Sequence, residues 1–243
     1  PRFTPAELVS AGFPDHLHGF RWPGWQPFAD AAGDTFGPLS LAHGTQILPR
    51  PGLDIQPGQI RYRGIDLVFN PKYQPAVLIP FVELADWARR DLPPLLGYDR
   101  PDTLRLRNTD NLDDYVARTG QKYWRLYAWR DGACIIEPAP TLAARTLDAH
   151  AAFALVAEWL LDGAANSGAF PAWFRSGVGS YLSEAGVHHV NFVAEFRAQG
   201  QPVVYSAALT DSVLAASPSP DDDLDRRCFR TASYSAFLMV WEL

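Results

Sequence analysis

Histidine and its neighbours carry most of the chemistry open to this chain. His150 begins the alanine-rich run His150-Ala-Ala-Phe-Ala154, and Ser176 and Ser180 follow in Trp173-Phe-Arg-Ser-Gly-Val-Gly-Ser-Tyr181. An imidazole within reach of a serine hydroxyl can serve as the general base of a hydrolase. The stretch Gly177-Val-Gly-Ser-Tyr181 lacks the G-x-S-x-G elbow that presents a serine nucleophile, so two helices packed closely through small residues explain the serines more simply. His188-His189 with Glu195 could join His150 around a metal ion. Adjacent side chains diverge on a helix, however, and a loop with two partly exposed histidines is the plainer reading. His16 and His18 alternate in a Pro-rich stretch and could chelate from extended backbone, but only Asp15 lies nearby, which favours an exposed or capping role. Asp221-Asp-Asp223 has no EF-hand spacing around it and reads as acids at the start of a helix, where the dipole favours them. Cys134 and Cys228 have no CxxC spacing. Cys134 lies in the apolar run Ala133-Cys-Ile-Ile136 and reads as core, and a disulfide between the two stays open.

Elements able to hold these residues can be read along the chain. Residues 1–57 are rich in Pro, Gly and aromatics, which disfavours regular helix because Pro fixes φ and removes a donor. Thr4-Pro-Ala-Glu-Leu-Val9 is the exception, a short helix start with Thr4 as N-cap. Aromatics such as Phe20, Trp22 and Trp25 are poorly placed on a free tail, so this segment is expected to wrap the main domain or to meet a partner. The main domain is expected over 58–243. Gln59 to Phe69 has strand character, Ala76 to Leu96 predicts a helix with an apolar stripe at Leu78, Phe81, Val82, Leu84, Ala85 and Ala88, and Thr103 to Arg107 alternates as a half-buried strand. Asn111 to Thr119 predicts a short helix. Tyr123 to Trp129 and Ala133 to Glu137 flank Asp131-Gly132, a hairpin signal. Helices follow over Thr146–Leu161, Phe170–Glu184, Val190–Ala198 and Leu224–Leu243. Strands and helices first, then a helical half, predict an α+β fold with a small mixed sheet.

Composition excludes several classes. The chain has 243 residues and a net charge of -6, which argues against a nucleic-acid partner. Lysine is nearly absent (Lys72 and Lys122), which reads as genomic composition rather than chemistry. No apolar run reaches the roughly 18 residues that span a bilayer. There is no leader-like pattern at the start, and Pro1 fits either a removed initiator methionine or a trimmed chain. The expectation is a soluble, cytoplasmic protein without a membrane partner.

The order and content of residues 58–243 resemble the peptidase-MA-like branch of the gluzincin metallopeptidases, a zincin-like fold. Leu147-Asp-Ala-His-Ala-Ala-Phe-Ala-Leu-Val156 overlays the helix that carries H-E-x-x-H in that family. Trp173 to Tyr181 overlays a second helix with a motif close to W-x-x-E-G-x-A-E-Y, and Thr231-Ala-Ser-Tyr-Ser-Ala-Phe-Leu238 resembles a later helix. The family chemistry needs two histidines four apart for zinc, a glutamate beside the first as general base, and a glutamate on the second helix as third ligand. The resemblance implies that His150 is the first histidine. Ala151 then replaces the base, Ala154 the second histidine, Ser176 the ligand glutamate and Ser180 a second acidic residue. Placing Glu158 at the second histidine instead leaves fewer ligands still. The resemblance also puts Tyr181 and Tyr234 at the cleft.

One imidazole cannot hold a catalytic zinc, so no catalytic residue, metal or cofactor is expected. The leading expectation is a non-catalytic pseudo-metallopeptidase domain that binds a peptide or protein partner or acts as a structural module. The alternative is a hydrolase rebuilt around His150, with Ser176 or a relocated metal. A third reading is an assembly module that uses the aromatic N-terminal segment as its contact surface.

Overall fold

The structure, a computed structural model, describes residues 52–164, 170–182 and 205–241, together with the backbone of two short strands. The chain divides into two compact units, Pro1–Arg50 and Pro51–Leu243. In the first, β1 (Phe28–Ala29) and β2 (Thr35–Phe36) pair antiparallel. The rest of that segment, including His16, His18 and the wrapping expected of it, lies outside the described residues.

The second unit is α+β. Its six-stranded mixed sheet contains β3 (Leu53–Gln56), β4 (Gln59–Tyr62), β5 (Ile65–Val68), β6 (Leu104–Asn108), β7 (Tyr127–Arg130) and β8 (Ala133–Ile136), in the order β3-β4-β5-β6-β8-β7. The pairs β5–β6 and β6–β8 are parallel and the others antiparallel. Seven α-helices are described: α1 (Ile79–Leu96), α2 (Leu112–Thr119), α3 (Ala139–Ala144), α4 (Asp148–Ala164), α5 (Ala172–Leu182), α6 (Ala207–Ala215) and α7 (Asp222–Trp241).

The sheet starts ahead of Gly58, because β3 pairs with β4 across Pro57-Gly58, with Gly58 at φ 80°. The strand expected over Gln59–Phe69 is a hairpin. Arg63 and Gly64 both take positive φ, as a two-residue turn between right-twisted strands requires. The Asp131-Gly132 hairpin forms as its sequence predicts, again with both residues at positive φ. β7 begins only at Tyr127; Tyr123–Leu126 is not strand.

The stripe on α1 is buried at each of the six expected positions. Helix α2 has Asn111 as N-cap, accepting from the Asp114 N–H at 2.8 Å, and Gly120 in the left-handed conformation ends it. The helix expected from Thr146 starts at Asp148 after the short α3, since Thr146 has φ 56°. Helix α6 was not foreseen, and the helix expected over Val190–Ala198 lies outside the described residues. Cys134 is buried in β8, and both cysteines are free thiols.

Helices α5 and α7 approach closely. A Cβ at Gly177 would overlap the carbonyl oxygen of Ala236, so glycine sets the spacing there. On its other side α5 meets α4: a Cβ at Gly179 would lie 3.3 Å from Ala154.

Candidate functional site

Helix α4 is apolar nearly all round, so a polar residue on it stands out. Ala152, Leu155, Val156, Trp159 and Leu160 are buried. Leu147, His150, Ala154, Glu158 and Asp162 recur every three or four residues, which puts them on one face. That face forms a wall of a cavity of about 630 Å³. Helix α5 adds Ala172, Arg175, Ser176 and Ser180, and α7 adds Arg226, Phe229, Arg230 and Ser233, again at helical spacing. The fourth wall is β7 with the segment that leads into it from Gln121.

Of the residues singled out in the sequence, His150, Ala154, Ser176 and Ser180 therefore meet at one cavity. Ala151 is fully buried and does not line it. Tyr181 and Tyr234 do not line it either: Tyr234 is buried, and the Tyr181 ring stands 6.3 Å from Phe237. Among the described residues no three His, Cys, Asp or Glu side chains cluster as metal ligands. His188, His189 and Glu195, invoked above as partners of His150, lie outside the described residues. Asp221 accepts from the Leu224 N–H at 3.0 Å, so this aspartate caps α7.

The centre of the cavity wall is a residue that sequence reasoning placed only in an alternative frame. Glu158 is half-buried and accepts two hydrogen bonds from the edge strand, from the Tyr127 hydroxyl at 2.9 Å and from Trp129 Nε1 at 3.2 Å. Burial raises the pKa of this carboxyl, while the Tyr127 hydroxyl, Arg175 and Trp129 oppose the rise. One turn on, Asp162 accepts from Arg175 at 2.7 Å. A signal was present in the sequence: Glu158 interrupts the apolar run Leu155–Leu161, and Tyr127 and Trp129 alternate, so they share a face of their strand.

β7 ends the sheet, and among the described residues its outer side has no main-chain partner. The Glu137 N–H donates to Leu126 O at 3.0 Å, and Tyr127 stands opposite Ile136. Antiparallel pairs alternate between bonded and non-bonded. Ala128 and Arg130 therefore exchange main-chain bonds with β8, and the main-chain groups of Tyr127 and Trp129 point away from the sheet. The segment before β7 is pinned by Tyr115, whose hydroxyl donates to Arg125 O. Arg125 is buried, reaching Ala216 O at 3.2 Å and Asp225 at 3.6 Å, with its guanidinium over the Phe229 ring.

Such an arrangement can do two things chemically. A strand edge can pair with an extended backbone, and a desolvated carboxyl hydrogen-bonded to a phenol can move protons. No family model matches this chain, and neither does any curated protein or solved structure.

Proposed function

We propose that this chain is a non-catalytic, peptidase-MA-like domain whose cleft holds an extended peptide or protein segment. The observation that carries the reading is the open edge of β7 forming one wall of the cavity that His150, Ala154 and Ser176 also line. A peptide laid along β7 would bond to Tyr127 and Trp129 through its main chain and set alternate side chains into the cavity. The residues do not fit a zinc ion. The positions named by the resemblance offer the imidazole of His150, a methyl at Ala154 and a hydroxyl at Ser176, short of the three protein ligands a catalytic zinc needs.

Binding of a degenerate library of synthetic peptides about ten residues long, followed by amide hydrogen exchange, tests the reading. Saturating peptide should slow exchange at Tyr127 and Trp129 and leave Ala128 and Arg130, already paired with β8, little changed. Saturable binding that leaves the Tyr127 and Trp129 amides unprotected, or no binding, contradicts it.

The second reading, a hydrolase rebuilt around His150 and Ser176, is favoured by their place around the same cavity, on neighbouring helices. It requires turnover of a fluorogenic peptide or ester that Ser176→Ala abolishes. Turnover absent, or unchanged in Ser176→Ala, removes it.

A further inference from the structure

The described lining of the cavity holds more arginines than carboxylates, in a chain that is acidic as a whole. The protein carries a net charge of -6. Yet among the described residues six arginines line this cavity (Arg125, Arg130, Arg145, Arg175, Arg226 and Arg230), against two carboxylates, Glu158 and Asp162. Arginine's planar fork is suited to carboxylates.

What the described partners do to this charge decides whether it is available. Arg175 is matched by Asp162. Arg226 meets Asp223 only in an exposed pair three residues apart, the weak kind of ion pair. Arg130 is exposed and donates to a neutral backbone carbonyl, Thr119 O, at 2.8 Å. Arg125 reaches Asp225 at 3.6 Å, and its buried Nε has no acceptor among the described residues. Arg145 pairs at 2.6 Å with the buried Glu137, whose carboxyl burial pushes up to about 7, so near neutral pH this partner is only partly ionised. The aspartates at the start of α7 are turned to their own chain: Asp221 caps the helix, Asp222 meets Lys122, and Asp225 accepts from Trp124 and from the Ser219 N–H. None of those three lines the cavity.

We propose that the segment held in this cleft is acidic, an extended peptide whose carboxylate side chains meet the arginines of the wall while its main chain follows β7. This rests on the peptide-binding reading above and goes further by naming the side-chain chemistry. Alternation along a bound strand puts every second side chain on one side. Carboxylates on the cavity side would face Arg226 on α7, and those on the other side Arg130, which alternation puts on the opposite face of β7 from Tyr127 and Trp129.

Three fluorescent peptide libraries of about ten residues, identical except that alternate positions carry Glu, Gln or Lys, provide the test against the full chain. The Glu library should bind roughly tenfold or more tighter than the Gln library, and the advantage should shrink as salt rises. Arg130→Gln and Arg226→Gln alter exposed side chains, so the fold should tolerate them. Together they should remove most of the Glu library's advantage over the Gln library. Equal binding of the Glu and Gln libraries, or a Glu advantage that both substitutions leave intact, overturns the acidic preference while the peptide-binding reading stands. Tighter binding of the Lys library overturns it as well. If no library binds, both readings fall together.

Discussion

Glu158 and Glu137 are two carboxyls whose environments oppose ionisation, and each makes a measurable prediction. Glu158 ties α4 to the edge strand through Tyr127 and Trp129. Glu158→Ala should leave two donors unpaired and destabilise the fold by roughly 1–3 kcal/mol, read by urea unfolding. An unchanged midpoint would show that the tie contributes nothing. Glu137 is fully buried at the end of β8, with one oxygen on Arg145 and the other without a hydrogen-bond partner among the described residues. Burial raises its pKa from 4.5 to about 7, against the pull of Arg145. The folded state therefore holds this proton more tightly than the unfolded chain does. The contribution is fully present below pH 4.5 and is lost as pH rises to about 7. Across that window wild type should lose on the order of 1–3 kcal/mol relative to Glu137→Gln; parallel curves for the two proteins would contradict this. Glu158 was legible as a charge inside an apolar helix, but its partners were not, because they come from a strand some thirty residues earlier. Nothing local marked Glu137 as buried; it follows Ile135-Ile136 at a strand end and takes its burial from the tertiary fold.

At the scale of elements, the spacing of α5 against α7 depends on one glycine. Gly177→Ala adds helix propensity worth about 1 kcal/mol, yet its methyl would overlap the Ala236 carbonyl oxygen. Overpacking against backbone costs roughly 1–3 kcal/mol or more, so the variant should be less stable despite the better helix former. A gain in melting temperature would show that the two helices can part freely. The small residues Gly177 and Gly179 read in sequence as a packing seam, and the structure uses them in that way on two sides of α5. Strong periodic patterns were equally legible, as in the buried stripe of α1 and the alternation Leu104–Asn108. Two turns were not. Arg63-Gly64 folds a run that alternates like a single strand, because arginine gives no hint of left-handed backbone. Pro57-Gly58 reads as a boundary in the sequence, although Pro-Gly also joins paired strands.

The second unit sets one sheet edge and residues of four helices around a cavity whose described lining is rich in arginine, in an acidic protein. The α+β class was legible because strand-like and helix-like patterns separate along the chain. That His150, Ala154 and Ser176 line one cavity depends on how the helices pack, and the contribution of β7 depends on strand order, neither of which local sequence encodes. The central claim is that this cleft works by binding, without zinc chemistry. The most direct measurement is the zinc content of protein purified without chelators, for wild type and His150→Ala. The account predicts far less than one zinc per chain in both. Stoichiometric zinc in the wild type that disappears in His150→Ala would contradict it.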